Sequence, residues 1–130
     1  MSIKSKFGHY PYDVEAKTGD YTVTARDFGK IFTNRGAVAT VTFTLPLSGA
    51  AFKGAWVEFY TVAAQSIAVA TNPADTLIVH ADATADSVTT AATIGQHIKC
   101  ISDGTGWLLV SDPSAASTAT AVTAVTIATA

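Results

Sequence analysis

The chain has 130 residues, 48% of them hydrophobic and only 14% charged, with a formal net charge of −2 at pH 7. That balance excludes an intrinsically disordered chain, which needs few apolar residues and a high net charge, and it removes the basic surface on which nucleic-acid binding depends. A single domain is expected; no apolar run approaches the ~18 residues of a membrane helix, and no basic stretch followed by an apolar core opens the chain to mark a secretion signal.

Small residues dominate: 24 Ala and 20 Thr against only five Leu. Alanine contributes little buried area, so a core of this composition is marginal by itself, and extra burial between subunits is the natural remedy. The one cysteine, Cys100, rules out an intrachain disulfide.

Residues 1–20 show no period of 2 or 3.6 and read as an extended N-terminal arm. Phe7, Tyr10 and Tyr12 crowd around Pro11 there, and aromatic rings on a loose arm are expected to dock on a partner. Residues 21–112 read as the body, a run of short strands. Tyr21 to Ala25 alternates; Val41, Phe43 and Leu45 alternate with Thr40, Thr42 and Thr44, the cleanest period of 2 in the chain, and Pro46 ends that run. From Trp56 to Val62, Val57 and Phe59 share one face, while Trp56, Glu58 and Tyr60 share the other. Ile67–Val69 and Leu77–Val79 are short strands separated by the turn Asn72-Pro73-Ala74-Asp75. Residues 82–92 lack an apolar period and are poor in helix formers, so a loop with a short strand near Ser87–Thr89 is expected. Ile98 and Cys100 oppose His97 and Lys99, and Asp103-Gly104 turns the chain into Trp107–Val110. Seven or eight strands at roughly ten-residue spacing predict an all-β domain, an antiparallel β-sandwich or jelly roll with an arm at each end.

Residues 113–130 are an uncharged Ala/Thr/Val arm. Up to about Ala121 it reads as a linker; from Val122 the β-branched content rises, with Val125 and Ile127. A strand-forming, uncharged segment left free is an aggregation hazard. Two readings stand: it pairs with a neighbouring subunit, or it is a disordered terminus.

Catalytic and metal chemistry find no foothold. His9, His80 and His97 have no partners at ligand spacing. His97 and Cys100 are three apart on one strand, which places them on opposite faces, and two ligands fall short of a zinc site; a surface histidine and a buried thiol are the expectation. There is no Gly-x-Ser-x-Gly and no Gly-rich phosphate cradle. Glu15 and Glu58 are the only glutamates, so paired acids for glycoside cleavage are lacking. Asp82 and Asp86 lack the further ligand and the glycine of a calcium loop. No enzyme and no cofactor are expected. Trp56, Tyr60 and Trp107 could stack on sugar rings; packing in a core or a subunit contact explains them better in a chain so short of large side chains.

Three segments taken in order resemble a β-sandwich module of tailed-bacteriophage virion proteins: Tyr21-Thr22-Val23-Thr24-Ala25-Arg26-Asp27-Phe28-Gly29-Lys30, then Val41-Thr42-Phe43-Thr44-Leu45-Pro46, then the closing Ile94 to Trp107 with its Asp103-Gly104 turn. Such modules occur in capsid decoration (cement) proteins, head fibres and tail fibres. The resemblance covers about residues 20–112 and implies no catalytic residues. It implies a virion structural protein made in the host cytoplasm and carried on the capsid exterior. The short chain with two arms fits a cement protein, a trimer that clamps the major capsid protein, better than a fibre. Residues 1–20 are not accounted for by the module. On this reading Phe7, Tyr10, Tyr12, Val122, Val125 and Ile127 are the candidate capsid or subunit contacts. The alternative is a head- or tail-fibre module that binds a host receptor or carbohydrate through Trp56, Tyr60 and Trp107.

Overall fold

A computed structural model describes residues 11–79, 82–112 and 125–129. Among them are eleven strands: β1 (Asp13–Ala16), β2 (Tyr21–Thr22), β3 (Lys30–Thr33), β4 (Val41–Thr44), β5 (Trp56–Tyr60), β6 (Ile67–Ala70), β7 (Leu77–Val79), β8 (Asp82–Thr90), β9 (His97–Ser102), β10 (Trp107–Asp112) and β11 (Val125–Thr129). The only helical pieces there are single 3-10 turns over Ala25–Asp27 and Ala50–Phe52. The protein is all-β, as its alternating patterns predict. β4 buries Val41 and Phe43 between partly covered threonines. β5 buries Val57 and Phe59, and β9 buries Ile98 and Cys100.

The strands are not wound as an antiparallel sandwich or jelly roll. β1, β3 and β5 pair in parallel to make one wall, and β2, β4 and β6 pair in parallel to make the other. The chain alternates between walls, so it coils as a short β-solenoid. Parallel neighbours normally need a crossover of a dozen or more residues, usually a helix; here the crossover is a strand of the opposite wall. The coils are unequal: Asp13 lies beside Lys30 but Ile31 beside Glu58, and Tyr21 beside Phe43 but Val41 beside Ile67. No fixed repeat length therefore shows in the sequence. Alternation reports that a strand has one buried face and is silent about the direction of its neighbours, which is why the expected antiparallel sheet was not found.

Antiparallel pairing closes the other end of the coil. β6 and β7 run one after the other along a single edge of β8, β9 returns beside β5, and β10 forms a hairpin with β9. β10 also lies parallel to β7, which joins the walls into one mixed sheet, β1-β3-β5-β9-β10-β7-β8-β6-β4-β2. β8 is a nine-residue strand, where a loop with a short strand was expected. Its Ala, Ser and Thr carry little intrinsic signal; pairing along both edges, with β6 and β7 on one side and β11 on the other, overrides it. The body also begins earlier than Tyr21: β1, inside the segment read as an arm, pairs with β3 over its whole length.

Between the walls, Phe32 and Phe59 are stacked register partners, and Phe43 from the opposite wall meets them at ring-centroid distances of 5.2 and 4.8 Å. All three are fully buried. Each such ring is worth about 1.5–3 kcal/mol of burial, which offsets the weak contribution of the alanines. The Asp103-Gly104 turn forms as expected. The Asp103 carboxylate accepts hydrogen bonds from the Thr105 and Gly106 amides, and Gly104 takes the left-handed φ of 91° that this turn requires.

A charged layer lies at the β1–β2 end of the coil, and polar terminal layers are what keep solenoid ends from stacking on one another. Tyr21 packs on Phe32 and Phe43, with the Lys17 ammonium 4.0 Å above its ring. Glu15 bridges Lys17 and Lys30 at 2.6 and 2.7 Å. The buried Asp27 carboxylate accepts from the Tyr21 hydroxyl, the Thr24 amide and the Lys30 ammonium. Burial pushes the Asp27 carboxyl up, but those three donors outweigh it and hold it below its ordinary 3.8. Glu15 is held below 4.5, chiefly by its bond from Lys17 and then by that from Lys30. Depressed folded values mean that this stabilisation is complete above those ordinary values and is lost as pH falls through the folded ones. Asp27→Ala is therefore expected to cost about 1–3 kcal/mol at neutral pH. The gap to wild type should narrow below about pH 4, as read by urea unfolding at both pH values.

Candidate partner-binding surface

Outside the core, the outer side of the β1-β3-β5-β9-β10 wall is placed where a partner could use it, while the edge of β8 is taken by β11. On the wall, strand geometry sends alternate side chains outward. β5 therefore presents Trp56, Glu58 and Tyr60 beside Ile101, Lys99 and His97 of β9. His97 Nε2 lies 2.5 Å from Glu58 Oε2, and the Lys99 ammonium lies 3.8 Å from Glu58 Oε1. That ammonium also sits 4.7 Å over the Trp56 ring, and Tyr60 tilts against His97 at 6.1 Å. The five side chains make one interlocked cluster. Its residues meet only because β5 and β9, about forty positions apart in sequence, are register neighbours; the spacing of Glu58 and His97 gives no local signal.

The aromatic residues singled out from sequence fall into different environments. Trp107 is fully buried, packs 6.1 Å from Phe28, and donates its indole N–H to the Pro46 carbonyl at 3.1 Å. It is a core residue and presents no face to a ligand. Tyr60 is 42% exposed and Trp56 is half-buried on the outer side, so these two are brought together while Trp107 is not. Tyr12 is 60% exposed, next to the start of β1. Phe7, Tyr10 and Val122 lie outside the described residues.

Val125 and Ile127 belong to β11, which runs antiparallel along β8 of the same chain, with Val125 opposite Thr90 and Ile127 opposite Val88. The second half of the C-terminal arm thus supplies a sheet strand, and its partner here is the chain's own body. A strand added to an edge is held by backbone hydrogen bonds and asks little of side chains, which suits a segment of Val, Thr, Ile and Ala.

Cys100 is fully buried in the core, where burial pushes its thiol up and away from reactivity, on the face opposite His97. Among the described residues no group of three or more His, Cys, Asp or Glu is placed to hold a metal ion, and no helix is long and apolar enough to cross a membrane. No family model matches this chain, and no curated protein matches it.

Proposed function

We propose that this protein is a non-enzymatic structural component of a tailed-phage virion, a capsid decoration protein that binds the major capsid protein and clamps neighbouring capsomers as a small oligomer, most simply a trimer. The reading draws on the resemblance of three ordered segments within residues 20–112 to virion modules, although those modules are β-sandwiches and this chain coils as a β-solenoid. The observation that carries it is architectural: a β-coil in which, among the described residues, Cys100 is buried in the core and His97 is paired with Glu58, with a terminal strand added to the edge of its own sheet. A clamp needs a compact body of this kind; the strand β11 completes that body by pairing with β8 of the same chain. Local three-fold points on an icosahedral shell select closed cyclic oligomers.

The test is co-sedimentation of the full chain with expanded, DNA-free phage capsids. Saturable binding at a fixed ratio to capsid subunits is the expected result; failure to pellet with capsids overturns the reading. A second reading, a fibre module that binds a receptor glycan, draws on the outward positions of Trp56 and Tyr60. Its weakness is that the Lys99 ammonium already covers the Trp56 ring. Glycan-array binding that disappears in Trp56→Ala would favour it.

A further inference from the structure

We infer that the outer side of the β5-β9-β10-β7 sheet is a self-association surface, which packs around a symmetry axis against other copies of this chain. The inference rests on the self-association part of the reading above and is independent of its virion part.

The two walls differ sharply on their outer sides. Across β4, β6 and β8 the register sets Thr42 beside Ala68 and Ala68 beside Thr89, with Thr44, Ala70 and Ser87 in the next row. That side is small and polar. Across β5, β9, β10 and β7 the register sets Trp56 beside Ile101, Ile101 beside Leu108, and Leu108 beside Ile78. These four stand opposite the core side chains Val57, Cys100, Trp107 and Leu77. Ile78 is 38% exposed, and Val110, in the adjacent row, is 47% exposed. A chain with five Leu and two Trp in all thus places one of each, with two Ile, in a continuous apolar row on one outer face. Trp56, Ile101 and Leu108 are partly exposed beside the exposed Ile78 and Val110, with the Lys99 ammonium over the Trp56 ring, and contiguous apolar surface of this kind favours association.

Charge identifies the occupant. The row beside the apolar one runs Glu58, Lys99, Val110, with His97 next to it. It carries both signs within a few ångströms, and the Lys99–Glu58 separation of 3.8 Å leaves the ammonium within reach of a second carboxylate. A surface with an acid and a base side by side complements itself when a symmetry axis brings two copies together, so that Lys99 of each meets Glu58 of the next. Closed symmetry of this kind is the usual form of soluble oligomers.

The experiment measures the mass of the full chain in solution by light scattering at micromolar concentration, for wild type, Leu108→Lys and Val110→Lys. Circular dichroism of each variant reports whether it is folded. Wild type should have the mass of two or more chains. Leu108→Lys should have the mass of one, and Val110→Lys, at the more exposed position, should dissociate about tenfold more readily. Monomeric wild type overturns the inference, as does an oligomer that survives both substitutions in folded protein. If wild type is monomeric but Leu108→Lys abolishes capsid co-sedimentation, the face belongs to the shell protein and the self-association inference fails while the virion reading stands.

Discussion

Trp107→Ala is expected to destabilise the protein by about 3–5 kcal/mol, against a total stability of about 5–15 kcal/mol for a domain of this size. Trp107 opens β10, the strand that joins the two walls. It pairs with Ser102 of β9 on one side and Leu77 of β7 on the other. Its amide donates to the Thr76 carbonyl at 3.0 Å, while its indole bonds the Pro46 carbonyl and fills the space beside Phe28. Truncation opens a cavity where the solenoid closes and strands the Pro46 carbonyl. The preceding residue shows how tightly this joint is built: a Cβ on Gly106 would lie 3.1 Å from the Thr76 carbonyl oxygen. Trp107→Phe keeps much of the ring and loses the donor, so about 1–2 kcal/mol is expected from it. Urea unfolding of the three proteins checks the order. A loss below about 1 kcal/mol for the alanine variant would show that the site collapses and that β10 is held by its backbone alone.

Asn34→Ala is expected to cost about 2–4 kcal/mol. Asn34 follows β3, is fully buried, and holds the stretch after β5 by all of its side-chain polar groups. Its carbonyl oxygen accepts from the amides of Val62 and Ala63 at 2.7 and 2.9 Å, and its amide donates to the carbonyls of Ala63 and Gln65 at 3.3 and 3.0 Å. The side chain thus replaces a strand at the place where the chain crosses from one wall to the other. Alanine leaves those backbone groups without their partner, and a buried amide without a partner costs more than a hydrogen bond contributes. Asn34→Asp separates the two halves of the effect: it keeps the acceptor, loses the donors, and sets a carboxylate against two carbonyls. Its stability should recover relative to wild type on acidification, because the protonated acid donates once more. Thermal unfolding at neutral and acid pH reads this directly. Equal losses at both pH values would show that the donors contribute nothing.

How far the surface was legible follows from the same residues. The outward positions of Trp56, Glu58 and Tyr60 follow from the alternation with Val57 and Phe59, because neighbouring side chains on a strand point opposite ways. The burial of Trp107 does not follow, since Trp107, Leu108, Leu109 and Val110 are all apolar and alternation among them carries no information. The contact of His97 with Glu58 needs the pairing of β9 with β5. The role of Asn34 has no sequence signature either, as a lone Asn after a strand reads as a turn residue.

The sequence by itself determined the all-β class, the inward faces of β4, β5 and β9, and the turns at Asn72–Asp75 and Asp103-Gly104. Each of these depends on residues within a few positions of one another: side-chain alternation has a period of 2, and a turn is made by its own side chains, as when Asn72 and Asp103 accept from amides two residues on. Tertiary structure alone decided the parallel coil, the strand character of β8, the entry of β1 and β11 into the sheet, and the bulky outer face. All of these are set by which strand lies beside which, across separations of 17 to 27 residues for the coils that pair Asp13 with Lys30 and Ile31 with Glu58. Alternation is equally satisfied by a parallel or an antiparallel neighbour; the aromatic contacts between the walls and the closing contact at Trp107 come from residues far apart in sequence that this arrangement brings together.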